Sequence, residues 1–260
     1  MFPNPQADLP PRYFVDTRHY TPAARYRALE LHRATDFERA LGSSSGAPGG
    51  LPCRVVEAGV GGGARFALRW RVEPDEVDVA RELPRFLRGV RAAAEPAAFA
   101  AVAGAAGLLE ACRRRPQRRR VAAMLSEGHA AGRAAPFVAA ARAALGSPDR
   151  RAAAHMMLLI GGAARSEKAA AAALAPLLKR LLPSLLRYSE DAAPVAVGFA
   201  GQKGLARARV LPMSALVDEL LATLLDRIQW PAYAAIKSFW PLYQDLDFER
   251  RHKESGRAAR

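Results

Sequence analysis

Leu174, Leu177, Leu178, Leu181, Leu182 and Leu185 recur at three- and four-residue steps. A strand would split this set three and three between its faces, whereas a helix gathers it into one stripe. The segment is therefore a helix with a face to cover, bent or broken at Pro176 and Pro183. The same period marks Val217, Leu220, Leu221, Leu224 and Ile228, in a helix from Ser214 to Gln229 that turns at Trp230-Pro231. Further helices are expected from Thr21-Pro22 to about Leu41, from an Asp75 cap to about Ala94 with a kink at Pro84, and from Pro96 to about Cys112. Others cover roughly 117–131, 134–145 and 148–164, and Ser166 is expected to cap the leucine helix. Gly42, Gly132, Gly146 and Ser147 punctuate the series.

Two stretches break this pattern. "CRVVEA" (Cys53–Ala58), a glycine turn, and "ARFALRWRV" (Ala64–Val72) read as a hairpin. In its second strand Ala64, Phe66, Leu68, Trp70 and Val72 share one face, and Arg65, Ala67, Arg69 and Arg71 share the other. "PVAVGF" (Pro194–Phe199) and "LARARVL" (Leu205–Leu211) form a second hairpin candidate. The fold class is helix-dominated α+β, with at least six helices and one or two antiparallel hairpins. The blocks starting at Arg69 and Arg207 align at a constant offset, matching Arg71 with Arg209, Pro74 with Pro212 and Val79 with Val217. A duplicated hairpin-helix unit would produce this, as would reuse of the same residue types, which is the reading adopted. Residues 1–20 are expected to be extended, 21–248 to form one domain (with 21–132 and 133–248 as possible halves), and 249–260 to be a basic tail.

The formal net charge of +14 draws such a chain toward nucleic acid, an anionic membrane or an acidic protein surface. Only five of the 39 basic side chains are lysine, and arginine, alanine, glycine and proline all have G/C-rich codons, so the arginine preference itself is weak evidence. Two cysteines make no disulfide framework and point to a reducing, intracellular setting: the nucleus in a eukaryote or virus, otherwise the cytoplasm. The start has no secretory pattern, and the apolar run at 152–164 is too short to span a bilayer.

No catalytic constellation emerges, and no cofactor or metal is assigned. Gly59–Gly63 leads into a strand rather than a helix N-terminus, which suits a turn and not a phosphate loop, and the glycines around Lys203 lack the nucleotide-binding spacing. His19, His32, His129, His155 and His252 have no metal-ligand spacing. Ser126 and His129 share a helix face without a nucleophile turn or an orienting acid. Cys112 borders an arginine run that would lower its pKa if it were exposed; otherwise it is the last buried residue of its helix.

The candidate surfaces are basic and aromatic. Arg65, Arg69 and Arg71 form a strand face whose charges are placed together by periodicity. Arg113, Arg114, Arg115, Arg118, Arg119 and Arg120 flank Pro116, and serve as a solvated joint, a phosphate contact or an import address. Tyr233, Ile236, Trp240 and Tyr243 share one stripe of the last helix, to be packed in the core or offered to a partner. These features lead to an expected function of non-catalytic binding to RNA or DNA through the two basic surfaces. The alternative is a scaffold or assembly subunit docking through its leucine-rich and aromatic helices, with arginines against an acidic neighbour.

Overall fold

The computed structural model describes residues 36–42, 50–57, 66–92, 95–130, 136–198, 209–245 and 248–250. The expected extended N-terminus, the Thr21-Pro22 helix start, the glycine turn, Arg65, the Lys203 segment and the basic tail lie outside these residues, as does the Arg207 end of the possible duplication. Helix is the dominant element, with two small antiparallel sheets of two strands each.

Residues 36–42 form α1, followed by β1 (Cys53–Glu57) and β2 (Phe66–Trp70). Helices α2 (Val79–Gly89), α3 (Ala97–Arg114), α4 (Arg120–Ala130), α5 (Pro136–Leu145) and α6 (Arg150–Ser166) follow. Then come α7 (Lys168–Leu174), α8 (Leu178–Leu186), β3 (Pro194–Val197), β4 (Arg209–Pro212), α9 (Met213–Ile228) and α10 (Trp230–Phe239).

The helices stack in rows. α3 packs on α6 and α6 on α9; α2 packs on α5, α5 on α8 and α8 on α10; α4 packs on α7. Neighbours in a row come from successive helical units, the arrangement of an α-solenoid. α6 touches α3, α5, α7 and α9, with β3 against it as well. Every residue from Ala152 to Ala164 is accordingly buried, and its alanines and glycines let neighbours approach on all sides. Gly104 of α3 admits the Phe86 ring, which would lie 2.2 Å from a Cβ at that position. Gly89 does the same for Phe37 of α1.

Several boundaries differ from the sequence expectation. Asp78, not Asp75, caps α2, accepting from the Arg81 N–H at 3.2 Å. Ser166 ends α6 rather than capping the leucine helix, its hydroxyl donating to the Ala163 carbonyl at 2.8 Å. Pro176 sits in a 3-10 turn (Ala175–Leu177) separating α7 from α8, whereas Pro183 is accommodated inside α8. Strand β2 stops at Trp70, so Val72, expected inside, is 47% exposed. The Lys168–Leu186 stretch is long and apolar enough to cross a membrane. Its six stripe leucines are buried within the protein, which makes it a core element.

Candidate functional site

The first hairpin lies along α3 in register. Phe66 meets Phe99 with ring centroids 5.9 Å apart, Trp70 lies over Gly107, and Arg115, just past α3, reaches Asp75, just past β2, at 2.7 Å. The rises match: Phe66 to Trp70 covers about 13 Å of strand, and Phe99 to Gly107 about 12 Å of helix. The apolar face of β2 is thus held against α3, where Trp70 also meets Phe86 edge-on. Its other face points outward and carries Arg69, with Arg71 exposed just beyond the strand. Antiparallel pairing sets Arg54 opposite Arg69, and Arg54 is exposed too. Neither Arg54 nor Arg69 makes an ion pair with a described residue.

The arginine run is held differently. Arg113 forks onto Glu110, with two bonds of 2.8 Å, and Arg114 approaches the same carboxylate at 3.6 Å. The Arg115 guanidinium pairs with the Asp75 carboxylate, while Arg118 (at 3.0 Å) and Arg120 donate to the Asp75 carbonyl. Arg119 makes this possible by adopting φ 48° after the turn at Pro116–Arg118, which aims its two neighbours at one oxygen. Left-handed backbone costs a residue with a Cβ on the order of 1 kcal/mol, so the turn is set by its surroundings. Beneath it, the buried Glu167 carboxylate accepts from the Val121 and Ala122 N–H groups at 3.1 and 3.2 Å, capping α4 from a distant part of the chain. The run is a staple between the β2–α2 loop and the α3–α4 joint.

This setting decides the state of Cys112. Burial pushes its thiol up to about 12, and the Glu167 carboxylate adds to the effect, outweighing Arg120. Of the two readings of Cys112, the structure therefore favours the buried one: it is a buried, protonated side chain near the end of α3. Cys53 is likewise pushed up to about 12, first by burial.

The other candidates are placed as follows. His155 is buried in α6, where its Nε2 accepts from the Gly198 N–H at 3.0 Å. Burial, reinforced by Arg151, drives its pKa down to about 3. It ties β3 to α6 as a neutral acceptor. Ser126 is exposed on α4, and the His129 side chain lies outside the described residues. Among the described residues no three His, Cys, Asp or Glu side chains converge as metal ligands. Tyr233 and Ile236 are 4% and 0% exposed, so the inner half of the aromatic stripe is core, not a docking face. Trp240 and Tyr243 are half-buried against it, whereas Trp230, Phe239 and Leu242 are the exposed apolar side chains of this region.

The structure thus brings Arg69, Arg71 and the Arg113–Arg120 run onto one edge, because a chain of five residues, 71–75, spans at most about 18 Å. Sequence reasoning missed three contributors. Arg54 was signalled by its place between inward Cys53 and Val55, but only strand pairing set it beside Arg69. Asp75 and Glu167 carried no signal, since their partners lie about 40 or more residues away. Carboxylates stand among these arginines: Asp75 and Glu110 hold the run, and Glu57, Glu73 and Glu76 are exposed on the hairpin and the loop that follows it.

Residues 46–245, most of the chain, match the protein family described as Parkin co-regulated protein (ParcG), and the chain belongs to that family. No curated protein matches it.

Proposed function

We propose that this member of the Parkin co-regulated protein family is a non-catalytic helical scaffold that presents its basic edge to an acidic protein surface. The observation that carries this reading is the hairpin lying in register along α3, which joins Arg54, Arg69 and Arg71 to the Arg113–Arg120 joint on one edge. Two further features support it. Stacked helical units favour broad surfaces over enclosed pockets. The carboxylates among the arginines suit a partner of mixed but mainly negative charge, and would oppose a continuous phosphate backbone. The leucine stripe and inner aromatic stripe are internally occupied, so docking falls to this edge.

The test is a titration of the full chain against labelled polyglutamate and against a labelled RNA of equal charge, with the Arg54→Gln, Arg69→Gln, Arg71→Gln triple variant alongside. Polyglutamate is expected to bind in a salt-sensitive manner, and the triple variant to weaken it about tenfold, the sum of three rim charges worth a few tenths of a kcal/mol each. Full affinity in the triple variant, or a clear preference for RNA, would overturn the reading. The latter outcome would return the nucleic-acid function to first place.

A further inference from the structure

The stacked row α3–α6–α9 ends in arginines. Arg113 and Arg114 stand in the last turn of α3, Arg165 in that of α6 and Arg227 in that of α9. Arg165 lies within electrostatic reach of Arg113, Arg209 and Arg227, so the three helices run the same way and finish on one side. Cations there complement the negative ends of the helix dipoles. That accounts for arginines at these three helix ends, but not for how Arg165 is held.

Arg165 is half-buried in a groove between α6 and α9, walled by Met157, Leu158, Leu216 and Leu220. Its Nη1 donates to the Thr223 hydroxyl at 2.9 Å, and that hydroxyl donates onward to the Glu219 carbonyl at 2.9 Å. Among the described residues it makes no ion pair. The nearby Glu219 carboxylate is occupied by Arg209, at 2.9 and 2.7 Å from its two oxygens. A half-buried guanidinium whose hydrogen-bond partner is neutral, with one carboxylate in reach (Glu219, shared with Arg209) against three other guanidiniums, is under-compensated, because buried charge is ordinarily paired. A carboxylate entering the groove would meet a planar fork made for it.

We propose that the groove at Arg165 is a docking site for an extended acidic peptide whose successive carboxylates are taken by Arg165 and Arg227, Arg113 being held by Glu110. Packed helices stand about 8–10 Å apart. A polyproline II chain repeats the same side every three residues, about 9 Å. The matching peptide therefore carries an acidic residue at every third position. This inference rests on the reading of the protein as a scaffold for acidic partners, and names the element recognised.

The experiment is fluorescence anisotropy of the full chain with a proline-rich peptide bearing Glu at every third residue. A peptide of the same composition with its Glu residues contiguous, and a single-stranded RNA, serve as comparison probes. The spaced peptide is expected to bind, with Arg165→Gln weakening it about tenfold or more and Arg165→Lys, which keeps the charge but loses the fork, falling between. Arg227→Gln, an exposed change that leaves the groove packed, is expected to weaken it by about threefold. Equal affinity for the contiguous peptide or for RNA would overturn the proposal, as would unchanged binding in both Arg165→Gln and Arg227→Gln. If the hairpin triple variant loses polyglutamate while Arg165→Gln leaves the spaced peptide untouched, this inference falls and the scaffold reading stands. If no acidic probe binds, both fall.

Discussion

Two groups of arginines share one edge of this molecule and are held in opposite ways. Those of the run are tied down: Arg113 and Arg114 to Glu110, Arg115 to the Asp75 carboxylate, Arg118 and Arg120 to the Asp75 carbonyl. On the outer face of the hairpin, Arg54 and Arg69 stand without an ion-pair partner among the described residues. The difference is topological. The run occupies a helix joint whose backbone groups need partners and whose surroundings supply acids, while strand alternation turns one face of the hairpin onto α3 and leaves the side chains of the other to solvent. Density of charge along the chain is therefore a poor guide to charge available for binding. What matters is which guanidiniums the fold already uses.

The largest expected effect is at Cys112, beneath the run. With its thiol pushed up to about 12, labelling by a thiol reagent at mild pH should be roughly a thousandfold slower than in the unfolded chain. Labelling at the unfolded rate would mean that the joint opens freely and its arginines are not held. A second measurement concerns Glu167. Glu167→Ala strips two buried N–H groups of their acceptor and should cost about 3 kcal/mol in urea denaturation. The hairpin triple variant should stay within about 1 kcal/mol of the parent. Similar losses in the two would erase the distinction between the arginines built into the helix joint and those on the outer face of the hairpin.

The second hairpin extends the comparison through His155. Its folded pKa is depressed to about 3, against an unfolded value near 6.5. Above pH 6.5 it is neutral in both states. Below that, the unfolded chain takes a proton that the folded chain refuses, so stability falls as pH falls through this window. From pH 7 to pH 5 the loss from this group is about 2 kcal/mol. Gln at position 155 keeps an acceptor without titrating, so His155→Gln should be flatter over that interval by the same amount. An unchanged slope would show that His155 is not held neutral by the second hairpin.

The smallest effect belongs to Asp75→Asn. The partly exposed pair with Arg115 should be worth about 0.5–1 kcal/mol. Releasing Arg115 while leaving the carbonyl contacts in place should raise polyglutamate affinity about twofold. A fall in affinity would place Asp75 in the binding surface itself rather than in the staple.

Much of the architecture was legible from spacing. The leucine stripe, the α9 stripe and the β2 alternation each follow from a single element's period, which the sequence carries locally. The β2 reading placed Arg69 and Arg71 outward, and so they lie. Caps were less legible. Asp75 and Asp78 are equally good N-cap residues on paper, and only the loop that docks on α3 decides between them. The aromatic stripe was ambiguous for a related reason: its period marks Tyr233 and Ile236 as one face, but says nothing of whether α8 and α9 cover that face.

Local spacing and composition carried the helix-dominated class, the first hairpin with the outward face of β2, a candidate for the second, and the excess of positive charge, because periodicity and composition are properties of neighbouring residues. Tertiary structure alone decided that Asp75 would clamp the arginine run, that Glu167 would cap α4 from the residue just past α6, and that Arg165 would be half-buried with a hydroxyl as its hydrogen-bond partner. Each of these joins side chains separated by about 40 residues or more. Electrostatics and hydrogen bonding act through space, so no local pattern could have carried them.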